Sequence, residues 1–235
     1  MGFPSKKIGT VFNVPIYVEL PAILTVVLLA IWVYSHRLIA VLDYKEATTA
    51  LLSIGLLIWL LFHEFAHVRA GQLLGFETKE VRLILFGAVA CMQSVGNSAL
   101  TMFLIAIAGP IMSVILWAIF YISANIFADT LSPFWLAAFT IFAEFNIIIA
   151  IFNMLPMFPM DGGRCVVSAF WAITKNFTLS LKIGAVIAII FAVLLGVLSV
   201  YINAYVMLMV MVFIILSNLA ILRSPNERIL QMHGI

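Results

Sequence analysis

The stretch "LLFHEFAHVRAG", residues 60–71, decides how the chain is interpreted, because it places ionisable side chains at the end of a long apolar run. Residues 47–62 contain no charged side chain, yet His63, Glu64 and His67 follow directly. An ionisable residue at the centre of a membrane helix costs about 2.5–3.5 kcal/mol on insertion scales, so residues of this kind are seldom without a function. The alternative is a polar cluster that only bonds neighbouring helices.

The spacing of the two histidines indicates a metal site. His63 and His67 are four residues apart, which puts both side chains on one face of a helix, one turn apart. Two imidazoles in this arrangement bind a single zinc ion at about 2.0–2.1 Å each. Glu64 lies beside the first histidine, where a carboxylate serves as the general base of a zinc peptidase. The pattern H-E-x-x-H therefore predicts a catalytic zinc centre.

The composition excludes a soluble protein. Of the 235 residues, 65% are hydrophobic and 9% are charged, whereas soluble domains have about 25% charged residues. The chain is therefore predicted to be an all-α polytopic membrane protein. Its net charge of +2 and the absence of a basic stripe argue against a nucleic-acid partner. Cys91 and Cys165 do not form a disulfide framework and are interpreted as small apolar residues in packed helices.

About six transmembrane helices are expected, because a helix needs about 20 apolar residues to cross a hydrocarbon core of about 30 Å. The uncharged stretch 183–222 is about twice that length and is expected to fold back near 199–203. The predicted spans are 20–42, 47–68, 99–123, 133–158, 183–200 and 203–222.

Two other stretches indicate short strands at a sheet edge. Residues 83–98 are apolar but short, and two glycines interrupt them, which predicts a re-entrant or strand-like segment shielded by protein. Residues 11–20, "VFNVPIYVEL", are rich in β-formers, and Pro15 suits an edge strand. We expect short edge segments near the N-terminus and after the second span.

The distribution of basic residues predicts both termini in the cytosol. With six spans and the N-terminus inside, the outer face receives only Arg37 and Lys45. The inner face receives ten basic residues: Lys6, Lys7, Arg69, Lys79, Arg82, Arg164, Lys175, Lys182, Arg223 and Arg228. This asymmetry follows the positive-inside rule.

The depth of each carboxylate in the membrane distinguishes the candidates for the third zinc ligand. Candidate carboxylates in apolar surroundings are Glu144 and Asp161. His63 lies roughly 24 Å from the outer end of its span, near the inner face, at about 1.5 Å per residue. Asp161 follows the fourth span, which also ends at the inner face, whereas Glu144 lies nearer the middle of the membrane. Asp161 is therefore favoured, although an Asp-Gly pair alone also occurs in plain turns. Glu144 is interpreted as a buried acid, either neutral or bonded to a facing helix, with a functional role as the alternative.

Two motifs together resemble the site-2 protease family of intramembrane zinc metalloproteases. "HEFAH" lies in the second span, and "NMLPMFPMDGGR" at 153–164 has the family form Asn-x-x-Pro-x-x-Pro-x-Asp-Gly. "LFGAVA" at 85–90 is similar to the Leu/Phe-Gly-Gly segment of the family, and "AGP" at 108–110 also recurs there. The compact six-span form is most similar to archaeal and bacterial members, which implies a prokaryotic cell membrane.

The resemblance implies a role for each motif residue. His63, His67 and Asp161 would bind one catalytic Zn²⁺, and Glu64 would be the catalytic base. Asn153 would help hold the substrate, and Pro156 and Pro159 would shape the end of the fourth span. Gly87, in the segment that would offer a strand edge, is the remaining substrate-binding candidate.

The chain departs from the family pattern at Ala88, where a second glycine is usual. If this segment is a strand that offers its edge to a substrate, the added methyl group would narrow the approach. Many relatives also carry a soluble domain. Here we expect one intramembrane metalloprotease domain, residues 1–222, and a short cytosolic tail, residues 223–235, in either a minimal member or a membrane domain cut from a longer protein.

The resemblance implies an intramembrane endopeptidase that cleaves single-pass, membrane-anchored regulatory proteins near the cytosolic face. Anti-sigma factors, membrane-held transcription factors and leftover signal peptides are all compatible with the residues. Two other classes remain: a membrane transporter that passes metal through the site, and a non-catalytic relative that only binds membrane proteins. A transport site has no need of Glu64 beside its first histidine, and retention of all four catalytic residues disfavours a non-catalytic relative.

Overall fold

A computed structural model describes residues 5–20, 22–84, 87–92 and 97–224, and within these it contains seven helices and four strands. The predicted tail, 223–235, lies almost wholly outside the described residues. In chain order the elements are β1 (Ser5–Val11), β2 (Val14–Glu19), α1 (Ala22–Tyr34), α2 (Lys45–Leu73), β3 (Thr78–Ile84), β4 (Gly87–Met92), α3 (Ala99–Ile126), α4 (Pro133–Asn153), α5 (Asp161–Thr174), α6 (Phe177–Tyr201) and α7 (Tyr205–Arg223).

The four strands form one sheet with the order β1-β2-β3-β4. β1 and β2 form an antiparallel hairpin, β2 and β3 are parallel, and β3 and β4 are antiparallel. The edge strands are therefore β1 and β4. The expected edge strand near the N-terminus is β1, whereas most of the 11–20 segment forms β2, which lies between two neighbours and is not an edge. Pro15 is accommodated because it pairs with Thr10 of β1, while the pairing with β3 begins only at Ile16.

Helix α2 lies in the centre of the bundle and packs against α1, α3 and α4. Leu52, Leu56 and Leu60 of α2 are buried against Ile141 and Phe142 of α4 in the largest apolar cluster. The opposite faces of the helices expose large aliphatic side chains. A bundle with apolar residues both inside and outside is the pattern expected of helices that are surrounded by lipid.

Five helices, α2, α3, α4, α6 and α7, are long and apolar enough to cross a membrane. The first predicted span, 20–42, is helical only in α1, whose 13 residues extend about 20 Å. Residues 35–44 continue to the start of α2 as turns. This connection is anchored to the bundle by the buried side chain of Ile39 and by His36, whose Nε2 lies 3.0 Å from Oε2 of Glu144.

The fourth predicted span, 133–158, ends earlier than expected. Helix α4 stops at Asn153, because Pro156 lacks the N–H that a helix requires and restricts the residue before it. An additional amphipathic helix, α5, then begins at Asp161. The sequence predicts no element there, since 14 residues are too few to cross the membrane and Gly162 and Gly163 weaken the helical signal.

We predict that Leu56→Ala lowers the free energy of unfolding by about 2–5 kcal/mol, because the side chain is fully buried and its loss leaves a cavity. The matched control is Leu51→Ala on the same helix, since Leu51 is 60% exposed. Thermal unfolding in detergent should separate the two variants by several degrees. Equal midpoints for both variants would contradict the assignment of the buried face of α2.

Candidate metal centre

One helix and the start of a second bring the predicted ligands together. His63 and His67 project from α2, and Asp161 is the first residue of α5. The three side chains are buried, with 2%, 4% and 6% of their residue surface exposed. The structure thus places the two histidines and Asp161 in one cluster, and Glu144 lies elsewhere, beside His36.

The three ligand atoms form a nearly equilateral triangle. Nε2 of His63 lies 3.2 Å from Oδ2 of Asp161, and Nε2 of His67 lies 3.3 Å from the same oxygen. The two Nε2 atoms are 3.3 Å apart. In a tetrahedral zinc site with bonds of about 2.0–2.1 Å, the ligand atoms are roughly 3.3–3.4 Å apart. The triangle therefore fits one face of a zinc tetrahedron and leaves the fourth position open.

The remaining ring nitrogens are fixed by partners on α3. Nδ1–H of His67 donates to the carbonyl oxygen of Ile105 over 2.7 Å. Oγ of Ser113 lies 2.9 Å from Nδ1 of His63 and accepts its hydrogen when Nε2 of that ring is the ligand. Partners of this kind set the tautomer and the orientation of a metal-binding imidazole. The sequence alone does not indicate Ser113 or Ile105, because no local pattern reveals contacts 50 and 38 residues away.

Gly109 of α3 provides the space for the cluster. A Cβ atom at this position would lie against Nε2 of His67 and 2.6 Å from Nε2 of His63. The adjacent Pro110 cannot donate to the carbonyl of Ala106, which loosens the helix at this turn. The "AGP" segment noted in the sequence therefore lets α3 approach the two imidazoles closely.

The segment between α4 and α5 delivers Asp161 to the histidines. A Cβ at Gly162 would meet the carbonyl oxygen of Met154, and one at Gly163 would meet backbone atoms of Phe158, so α5 starts in direct contact with the segment before it. Asn218 of α7 donates from Nδ2 to the carbonyl oxygen of Phe158 over 2.6 Å. Asn218 is fully buried and was not identified from the sequence.

The charges at the site favour an ionised Asp161. Burial by itself raises the pKa of this carboxyl, but hydrogen bonds from His63 and His67 outweigh burial and hold the pKa well below its usual range. Because Nδ1–H of His67 already donates to Ile105, Nε2 of that ring is the nitrogen available to a metal ion.

The other predicted site residues surround this centre. Glu64 is half-buried on α2, and its charged neighbours include both histidines and Asp161. The substrate-binding candidates lie on the adjoining segments. Asn153 ends α4, Pro156 and Pro159 lie in the connection to α5, and Gly87 begins the edge strand β4, which packs against α2.

The fold and the cluster together define a class: an integral membrane protein with a buried metal centre of two histidines and one carboxylate. The sequence profile described as Peptidase family M50 matches residues 51–129 and 122–198. The chain belongs to this peptidase family, whose zinc metalloproteases imply zinc as the metal for the three residues.

Individual relatives are similar over most of this chain. Over 179 residues the chain is 30% identical to protein sll0528 of Synechocystis, which covers 72% of this chain and 45% of that protein. It is 28% identical over 143 residues to zinc metalloprotease MJ0392 of Methanocaldococcus jannaschii, covering 60% and 41%. The chain thus spans less than half the length of these relatives.

A solved structure shows the same fold. The site-2 protease from Methanocaldococcus jannaschii superposes with a TM-score of 0.66 at 21% identity, covering 94% of this chain and 97% of that one. The resemblance to the site-2 protease family and the mostly helical membrane fold expected from the sequence are confirmed.

We predict that Gly109→Ala abolishes stoichiometric zinc binding, because its methyl group would occupy the space of the two Nε2 atoms. Gly196→Ala on α6 is the matched control, since the nearest atom to a Cβ there is 3.8 Å away. Zinc content per purified chain is the measurement. One zinc per chain in the Gly109 variant would contradict the close approach of α3 to the histidines.

We predict that Ser113→Ala weakens zinc binding about 10- to 100-fold, the usual effect of removing a partner of a ligating imidazole. Competition with a zinc chelator measures the change in affinity. Ser123→Ala provides the comparison, because Ser123 is on the same helix about 15 Å further along. An unchanged affinity in the Ser113 variant would show that His63 does not depend on this hydroxyl.

Proposed function

We propose that the chain is a zinc-dependent intramembrane endopeptidase that hydrolyses peptide bonds within or near transmembrane segments of membrane-anchored regulatory proteins. The observation that carries the proposal is the triangle of His63, His67 and Asp161 with Glu64 on the same helix, inside a bundle of membrane-spanning helices. Membership of a peptidase family supports hydrolysis as the reaction. The activity, the substrate and the partners belong to this proposal.

In this proposal His63, His67 and Asp161 hold the zinc, which when bound supplies a Lewis acid for the scissile carbonyl and the attacking water. Glu64 accepts the proton of that water through its carboxylate. The new C–O bond forms as the π bond of the carbonyl opens, and Glu64 then passes the proton to the nitrogen as the C–N bond breaks and the carbonyl re-forms. Ser113 and the carbonyl of Ile105 keep the imidazoles aligned throughout.

A substrate helix must unwind before its amides are accessible, because all its backbone groups are bonded internally. Edge strand β4 packs against α2 and has one side without a neighbouring strand among the described residues, which supports main-chain pairing with an extended substrate. Gly87 begins this strand. Asn153 makes no side-chain hydrogen bond within the described part of the chain, and with Pro156 and Pro159 it is proposed to contact the substrate.

The proposed orientation has the site near the cytosolic face and both termini in the cytosol. The end of the bundle that holds the sheet and α5 carries Arg69, Lys79, Arg82, Arg164 and Lys175. The opposite end, with the connection 127–132 between α3 and α4, carries Arg37 and Lys45. This asymmetry supports the orientation, and the distance of about 15 Å from His63 to the end of α2 supports a site close to the basic end.

We predict that Glu64→Gln retains one zinc per chain but lowers the rate of cleavage about 10²- to 10⁴-fold, the usual contribution of a general base. The measurement combines zinc content with cleavage of a single-pass membrane substrate by purified protein. Glu46→Gln is the matched control, because Glu46 is an exposed carboxylate at the start of the same helix. In the same assay, Asp161→Ala should lose zinc.

Each other outcome contradicts a specific part of the proposal. Bound zinc with equal cleavage in both variants would refute the role of Glu64. Full zinc affinity in Asp161→Ala would refute the role of Asp161 as the third ligand. A zinc-loaded wild-type chain that cleaves no membrane substrate would favour a binding relative, and zinc flux into liposomes would favour a transporter.

A further inference from the structure

Arg164 of α5 carries a permanent charge that no group in the described chain pairs. Its Nε atom is buried without a hydrogen-bond partner, and no carboxylate lies within ion-pair distance of its guanidinium among the described residues. A guanidinium offers five N–H donors and does not lose its proton in proteins. A buried donor without a hydrogen-bond partner costs free energy, so the Nε–H group of this half-buried side chain either has a partner that arrives later or weakens the fold.

The position of Arg164 relates it to the metal centre. It follows Asp161 by three residues on α5, which places both side chains on the same face of the helix. Side chains of a helix lean toward its N-terminus, so the guanidinium is directed back toward the level of Asp161. Its charge acts on both Asp161 and Glu64, which places it within electrostatic range of both carboxylates.

During peptide hydrolysis, negative charge develops on the oxygen atoms bonded to the carbon of the scissile carbonyl. Attack by water turns the carbonyl oxygen into an oxyanion, and departure of the amine leaves a carboxylate at the new C-terminus. Planar, two-pronged hydrogen bonding to a carboxylate is the characteristic geometry of arginine. Donors that wait at such a position, without reorganisation, stabilise the transition state.

We propose that Arg164 is a further catalytic residue, whose guanidinium donates to the substrate oxygen that becomes the oxyanion and then part of the product carboxylate. This inference rests on the proposed peptidase function and adds a residue to it. Asp161 would hold the zinc from one turn of α5 while Arg164 contacts the substrate from the next.

The first test is a comparison of Arg164→Gln and Arg164→Lys with wild type, all as full-length, zinc-loaded chains. We expect the glutamine variant to lose about 10²–10³-fold in kcat, the usual effect of removing an oxyanion donor, with KM little changed. The lysine variant keeps the positive charge but loses the two-pronged hydrogen bonding of the guanidinium, so its kcat should fall by less than that of the glutamine variant. Lys175→Gln, at the exposed end of the same helix, is the control and should match wild type.

The second readout separates contact with the substrate from a structural role. Product-like peptides that end in a free carboxylate or in a carboxamide are compared as inhibitors. Wild type should prefer the carboxylate, and Arg164→Gln should reduce this preference about tenfold or more, which is the range for a hydrogen bond to a charged group. If the glutamine variant does not fold, the same comparison with Arg164→Lys should show a smaller reduction.

The possible results distinguish the inference from the function on which it rests. A wild-type chain without zinc-dependent cleavage overturns both. A cleaving wild type beside an Arg164→Gln variant with equal kcat overturns only the inference. Loss of zinc or stability in the variants with an unchanged carboxylate preference also overturns it, because Arg164 would then support the fold or anchor α5 at the membrane surface.

Discussion

Burying two imidazoles and a carboxylate in an apolar bundle requires a partner for each of their polar atoms, and the architecture around α2 meets this requirement. Nδ1 of each histidine faces α3, at Ser113 and at the carbonyl of Ile105, while both Nε2 atoms face Asp161. Because α3 must supply a carbonyl, a hydroxyl and an empty space within three turns, the geometry of the site constrains its sequence as well. The glycine and proline at 109–110 are part of that constraint.

The carboxylate of Asp161 is positioned differently from the histidines, because Asp161 lies at the end of the α4–α5 connection and not within a long helix. Backbone-to-backbone contact through Gly162 and Gly163 shortens the distance between α5 and the preceding segment, and Asn218 ties that segment to α7. The peripheral helix α7 therefore contributes to the position of Asp161 although it contributes no ligand. A residue can thus influence a metal centre through one carbonyl oxygen, that of Phe158, without approaching the ligands.

The sequence predicted the cluster of candidate metal ligands better than it predicted the residues that position those ligands. The two histidines share a helix, so their spacing alone specified their geometry, and Asp161 was selected over Glu144 by counting residues along spans. Ser113 and Asn218 could not be identified in this way, because their contacts join helices at separations of 50 and 60 residues. The order of the sheet was also inaccessible, since strand patterns indicate strands and do not indicate their neighbours. The short length of α1 and the presence of α5 were not predicted, because the length needed to cross a membrane was the criterion for a helix. Both helices are shorter than that length and pack against neighbouring helices of the bundle.

The two ionisable clusters of the bundle explain why depth discriminates between carboxylates. Glu144 lies about 16 Å from the start of α4, and His63 lies about 27 Å from the start of α2 at the same end of the bundle. A side chain cannot bridge the difference of roughly 10 Å, so Glu144 is bound instead by His36, the residue that faces it at its own level. Glu144 and Asp161 are therefore each matched by histidines at their own depth. Two imidazoles converge on a single carboxylate oxygen of Asp161, and the space between the three ligand atoms can hold a cation.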